Sequence, residues 1–304
     1  MRMALHTFTA LIASALMLAI ALSDPAGAQE AGSRASYTRG GWAGAKYVAM
    51  GKAAEVVVDD VYSIYWNPAG LAGLKEQERL TAEEIRDRAK KGDVNSISEE
   101  DLIRFSDDRQ SRTAFHIGMS AAMLDIEREA GFAGAAFSMF GGVMGVGAYS
   151  IQSKDIESRD EQGNLLGKLN YSGSVGYLSY GWVSGVSSLG VSLKVLYEKI
   201  GEVGYYGGGV DVGTQVEVIP FIRVGFVVMD IGTGLKPDKR YDSISDEYEF
   251  GSPSIKLSVA LTSRQSDFVA ALSAVRKLEQ EDEYEVNVGL SYNVARNMSI
   301  YVGL

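Results

Sequence analysis

The sequence predicts an all-β fold, a transmembrane antiparallel β-barrel. Three observations predict it. Residues 113–304 alternate apolar with polar or small residues in runs of about ten, near the roughly 9–11 that a tilted membrane strand needs. Residues 1–28 read as an export signal. Glycine is abundant, 35 of 304 residues, without a collagen period, beside 16 tyrosines and only 5 prolines.

The chain divides into four stretches. In residues 1–28, Arg2 supplies the positive start, residues 8–22 form an uncharged apolar run, and Ala26 and Ala28 are the small residues a signal peptidase reads. The competing reading is a membrane anchor, for which the run is short against the roughly 20 residues of a spanning helix. The signal takes Arg2 and Asp24 with it, so the mature chain keeps the formal net charge of −10. Residues 29–74 are rich in small residues and hold Asp59-Asp60 and Trp66-Asn67-Pro68. Residues 75–112 differ sharply, with 20 charged residues in 38. Thr81-x-x-Glu84 and Ser98-x-x-Asp101 look like capping boxes, so residues 81–91 and 98–105 are expected to form a short charged helical insert.

From residue 113 the period is two. In residues 189–197 the odd positions are Leu, Val, Leu, Val and Tyr, and the even ones Gly, Ser, Lys and Leu. In residues 284–294 the even positions are Tyr, Val, Val, Leu, Tyr and Val, and the odd ones Glu, Asn, Gly, Ser and Asn. Eleven such segments can be read, near 113–124, 130–139, 143–153, 171–182, 189–199, 208–218, 221–230, 254–263, 267–276, 284–295 and 297–304. One apolar face and one polar or small-residue face is the pattern of a barrel with lipid outside. A soluble sandwich also alternates, but with shorter strands and turns richer in proline. Connections alternate too. They are short after the even-numbered segments and longer at 154–170, 200–207, 231–253 and 277–283, which is the loop asymmetry of outer-membrane barrels. An odd strand count leaves the two ends of such a barrel on opposite sides. Residues 298–304 also stop in mid-pattern, so further strands beyond Leu304 are expected.

Composition excludes several chemistries. With no cysteine there is no disulfide scaffold, thiolate metal site or cysteine nucleophile. Two histidines, one of them in the signal, exclude a multi-histidine metal site. The acidic balance argues against nucleic acid as a partner. His116 would have to serve any Ser-His-Asp site, but it occupies an inward strand position and reads as a lumen residue. Residues 93–100 look superficially like a calcium loop but have Ile97 at an acidic position and no central glycine. Glycines such as Gly145, Gly147 and Gly207–Gly209 are read as places where another chain segment approaches the wall or the strand bends. Tyr171, Tyr177, Tyr180 and Trp182 are read as members of interfacial aromatic girdles.

The residues Tyr47-Val48-Ala49-Met50-Gly51, Val58-Asp59-Asp60 and Tyr65-Trp66-Asn67-Pro68-Ala69-Gly70-Leu71-Ala72 resemble the N-terminal signature of the PorV/PorQ family, among FadL-like outer-membrane barrels. Strand motifs at 176–182, 190–198, 209–213 and 224–233 agree with it, so the resemblance covers nearly all of the mature chain. It implies a nominally 14-stranded barrel, residues 113–304 here, with residues 29–74 folded into the lumen as a hatch. The insert at 75–112 departs from the family pattern. The resemblance implies a protein without enzymatic activity or cofactor, in the outer membrane of a Gram-negative-type bacterium. Two roles compete. One is an accessory or shuttle in protein secretion of the type IX kind or in envelope transport, with cargo or secretion-machinery proteins as partners besides membrane lipid. The other is a FadL-like channel for hydrophobic small molecules. Asp59, Asp60, Trp66, Asn67 and Pro68 are the motif residues to examine. They suit a ligand or gating site, but hatch structure accounts for them more simply: Asn before Pro favours a turn, and carboxylates can satisfy backbone N–H groups.

Overall fold

The computed structural model describes residues 41–76, 90, 115–124, 128–159, 162–219, 221–238, 249–263, 268–278, 284–295 and 298–304. The signal at 1–28, the two insert helices (Lys90 apart) and the loop at 93–100 lie outside them. Residues 41–76 form a chain of short turns: α1 (Ala45–Ala49), α2 (Ser63–Trp66), a 3-10 helix (Pro68–Ala72) and α3 (Gly73–Glu76). The rest is strand: β1 (Phe115–Leu124), β2 (Arg128–Met139), β3 (Gly142–Arg159), β4 (Leu165–Ser184), β5 (Ser187–Ile200), β6 (Val203–Ile219), β7 (Ile222–Pro237), β8 (Glu249–Phe250), β9 (Ser254–Thr262), β10 (Phe268–Lys277), β11 (Tyr284–Ala295) and β12 (Met298–Gly303). Eleven of them form one antiparallel sheet in chain order, with the two-residue β8 paired beside β9 on β7. Each segment read from the alternation coincides with one of these eleven.

The strands differ from the reading at one end. β3 and β4 continue as a paired ladder past Ile156–Leu169 to Arg159–Leu165, and β5 turns into β6 through Gly201 and Glu202 alone. Two of the four long connections are therefore mostly extended hairpin. On β3 the outward residues turn polar from Ser150 to Lys154, and a register shift between Ser153 and Ile156 then breaks the alternation, so the exposed Ile156, Leu165, Leu166 and Leu169 further along the ladder give no period of two.

The alternation sorts residues as in a lipid-facing sheet, the reverse of a water-soluble one. On β5 the buried positions are Gly190, Ser192, Lys194, Leu196 and Glu198, while Leu193, Val195 and Tyr197 are exposed. On β9, Ser254, Lys256, Ser258 and Ala260 are buried, and Leu257, Val259 and Leu261 are exposed. The polar side faces inward because residues 41–76 lie there. Those residues touch both edges of the sheet. Tyr62 Oη donates to the Met119 carbonyl of β1 at 2.7 Å, and Gly44 N–H donates to Ser120 Oγ at 3.0 Å. At the other edge, any side chain on Gly303 would run into the backbone of Met50 and Gly51. The sheet is thus curled into a barrel-like wall around the segment. Gly190 shows how close the packing is, since a Cβ there would strike the Pro68–Ala69 peptide. Trp66, Tyr47, Ile64 and Leu71 are fully buried, each worth about 1.5–3 kcal/mol of apolar transfer. Of the residues read as girdle aromatics, Tyr180 and Trp182 are partly exposed on the outer face, stacked at 5.8 Å. Tyr171 and Tyr177 instead point inward, with Tyr177 in the core and Tyr171 packed against it.

Candidate functional site

The five motif residues divide by what their polar atoms do. Asn67 sits in extended backbone and starts the 3-10 helix, with its Oδ1 accepting the Ala69 N–H at 3.1 Å. Its Nδ2 donates to the Glu55 carbonyl at 2.7 Å and more distantly to Thr214 O at 3.4 Å. Pro68 takes the first helical position, where no N–H is needed. Trp66 Nε1–H donates to the Ala43 carbonyl at 2.8 Å. Asp60 accepts the Tyr47 hydroxyl at 2.8 Å and the Tyr62 N–H at 2.9 Å. Burial pushes the Asp60 carboxyl above the usual carboxylate range, against those two hydrogen bonds. Burial and then the Asp60 charge push the Tyr47 phenol well up. Asp59 differs from its neighbour. It lines a cleft of about 420 Å³ with Gly73, Ser188, Gln215, Glu217 and Arg223, beside the short β4–β5 and β6–β7 turns.

The fold buries three of the five, Trp66, Asn67 and Pro68, and leaves Asp59 and Asp60 half-buried. It also assembles two charge clusters not singled out from the sequence. In the first, the fully buried Glu55 carboxylate takes Lys256 Nζ of β9 on Oε1 at 2.9 Å and Ser273 Oγ of β10 on Oε2 at 2.9 Å. Lys256 Nζ also lies 5.4 Å from the Trp66 ring centroid, within cation–π reach. Gln215 Nε2 donates to the Glu55 and Val58 carbonyls, both at 3.0 Å. In the second cluster, Lys194 pairs with Asp211 at 2.6 Å and with Asp230. Asp230 has φ 62, beside a register shift between β6 and β7, and its N–H donates to Asp211 Oδ1 at 2.8 Å. The signal for both clusters was present in the alternation. Lys194, Asp211, Lys256 and Ser273 all fall on the parity opposite the exposed apolar residues of their strands.

His116 faces inward on β1, its Nε2 buried without a hydrogen-bond partner. Among the described residues, no group of three or more His, Asp or Glu side chains is placed to hold a metal ion. Chemically, the arrangement anchors a segment to a wall. Comparison with protein-family models, curated proteins and solved structures finds no match to this chain.

Proposed function

We propose that the chain is an outer-membrane β-barrel of PorV/PorQ type, closed by its own N-terminal hatch, working as an accessory or shuttle in protein secretion of the type IX kind or in envelope transport. In this reading residues 29–74 are the hatch, described from residue 41 on, and the eleven strands belong to a wall of nominally fourteen. The observation that carries the reading is the sorting of the sheet: apolar residues exposed on the convex face, polar ones buried on the concave face. The outward apolar run of β5, residues 189–197, is nine residues long. At about 3.3 Å per residue and a tilt of about 40° it would rise roughly 23 Å, against an apolar band of about 25 Å in such barrels.

The filled interior supports an accessory over a channel for hydrophobic small molecules. On β5, β6, β9 and β10 the wall beside the segment carries Lys194, Asp211, Lys256, Ser258 and Ser273, all buried, while on β2–β4 Phe132, Tyr149 and Tyr177 are already packed against Tyr62 and Tyr65. The partners in this reading are membrane lipid and exported cargo or secretion-machinery proteins.

Deleting the gene in the source bacterium tests it. The expected result is periplasmic accumulation of normally secreted proteins with fatty-acid uptake unchanged. Unchanged secretion with lost fatty-acid uptake, together with palmitate binding by the purified protein in lipid, overturns it in favour of the channel.

A further inference from the structure

The polar residues of the inner wall are not scattered. Gln215, Gly225, Ser258, Ser273 and Asn287 are successive cross-strand partners on β6, β7, β9, β10 and β11, so they form one belt across half of the wall. Along the strands the belt meets axial polar rows: Ser254, Lys256 and Ser258 on β9, and Asn287 and Ser291 on β11. All of these are buried, and Ser254 Oγ has no hydrogen-bond partner. A wall of this chemistry is stable dry only where partners replace water. Residues 41–76 supply those partners at one level, through the Glu55 carboxylate and the carbonyls of Glu55 and Val58.

We infer that the β6–β11 side of the interior is a latent hydrophilic pathway for small ions, held shut by the Glu55–Lys256–Ser273 latch. The argument is one of desolvation. While the pair is intact, each charge compensates the other. With either charge removed, the survivor is buried alone and draws water into the polar strip beside it. With both removed, the strip has no uncompensated charge at the latch and stays dry. The pathway would carry hydrophilic solutes, in contrast to a route for hydrophobic ones.

This inference rests on the reading of the chain as a closed barrel, and one experiment separates the two. The mature protein and its variants are refolded, checked for heat-modifiable migration as folded barrels, and inserted in planar bilayers under a KCl gradient. Wild type is expected to be silent. Glu55→Ala and Lys256→Met are expected to raise the fraction of time open at least about tenfold, the shift that roughly 1.4 kcal/mol against the closed state produces. Their reversal potentials should have opposite sign, with anion preference where Lys256 is left alone and cation preference where Glu55 is. The Lys194–Asp211–Asp230 cluster is common to both variants, so the difference between them reads the latch. The double variant E55M/K256M is expected to be silent. If Glu55→Ala does not fold, Glu55→Gln takes its place.

Folded variants that stay silent overturn the latch and leave the closed barrel standing. A double variant that conducts like the singles also overturns it, since loosening of the segment, and not charge, would then open the path. A wild type that conducts overturns the closed-barrel reading itself.

Discussion

The two sides of the internal segment are held to the wall by different physics. Toward β2–β4 the contact is aromatic. Tyr62 packs on Phe132 at 5.2 Å between ring centroids, and Tyr65 packs on Tyr149 at 4.9 Å and Tyr177 at 6.3 Å. Toward β6–β11 a small apolar cluster of Met50, Ala53 and Val56 on Ala260 and Ala271 is joined by a buried ion pair and a set of hydrogen bonds to carbonyls. Aromatic contact is non-directional and scales with area, so it tolerates small displacements. The ion pair is all or none, because an unmatched buried charge costs far more than a matched one contributes. The segment is thus gripped on one face and keyed in position on the other.

The strongest way to break this comparison is on the aromatic side. Phe132→Ala, on the wall itself, should cost about 3–5 kcal/mol by cavity formation, read as a lowered guanidinium midpoint for unfolding. On the polar side, Lys256→Met should cost nearly as much, about 3 kcal/mol, because it strands the Glu55 carboxylate. E55M/K256M should recover most of that loss, which no pair of aromatic truncations would do; strictly additive single and double variants would remove the distinction. Asn67→Ala should cost about 1–2 kcal/mol as a lost cap, because Gln215 still serves the Glu55 carbonyl.

Asp60→Asn should have the smallest effect, and its sign depends on pH. The folded-state carboxyl is raised, so at neutral pH the ionised form opposes folding, and that opposition fades as pH falls through the folded value toward the ordinary carboxylate range. The variant should therefore gain most relative to wild type at pH 7 and lose that advantage on acidification. Denaturant midpoints measured at several pH values check this; a gain that grows toward acid would contradict the sign.

Strand positions were legible because one face of each strand meets a single environment, which writes the alternation into the sequence. The ends of β3 and β4 were not, because the register shift between Ser153 and Ile156 breaks the alternation there. Turns of four or five residues such as α1 and α2 are too short for a helical period to show. The Asn67-Pro68 turn was legible locally. Glu55 was not, since Lys256 and Ser273 stand 201 and 218 positions further along the chain. Tyr177 was misplaced for a recoverable reason: it shares parity with the buried Val175 and Ser179, whereas Tyr180 and Trp182 share the other.

The meeting of both sheet edges on residues 44–62 also constrains how the molecule is made. That stretch is synthesised before any strand, yet it finds its place only when β1 and β12 have both arrived. Such high contact order slows folding. In the interval Trp66, Tyr47 and Ile64 are uncovered, beside the outer edges of β1 and β12, each of which is paired on one side only. Damage to the segment should therefore appear first as aggregation, through those uncovered residues and sheet edges.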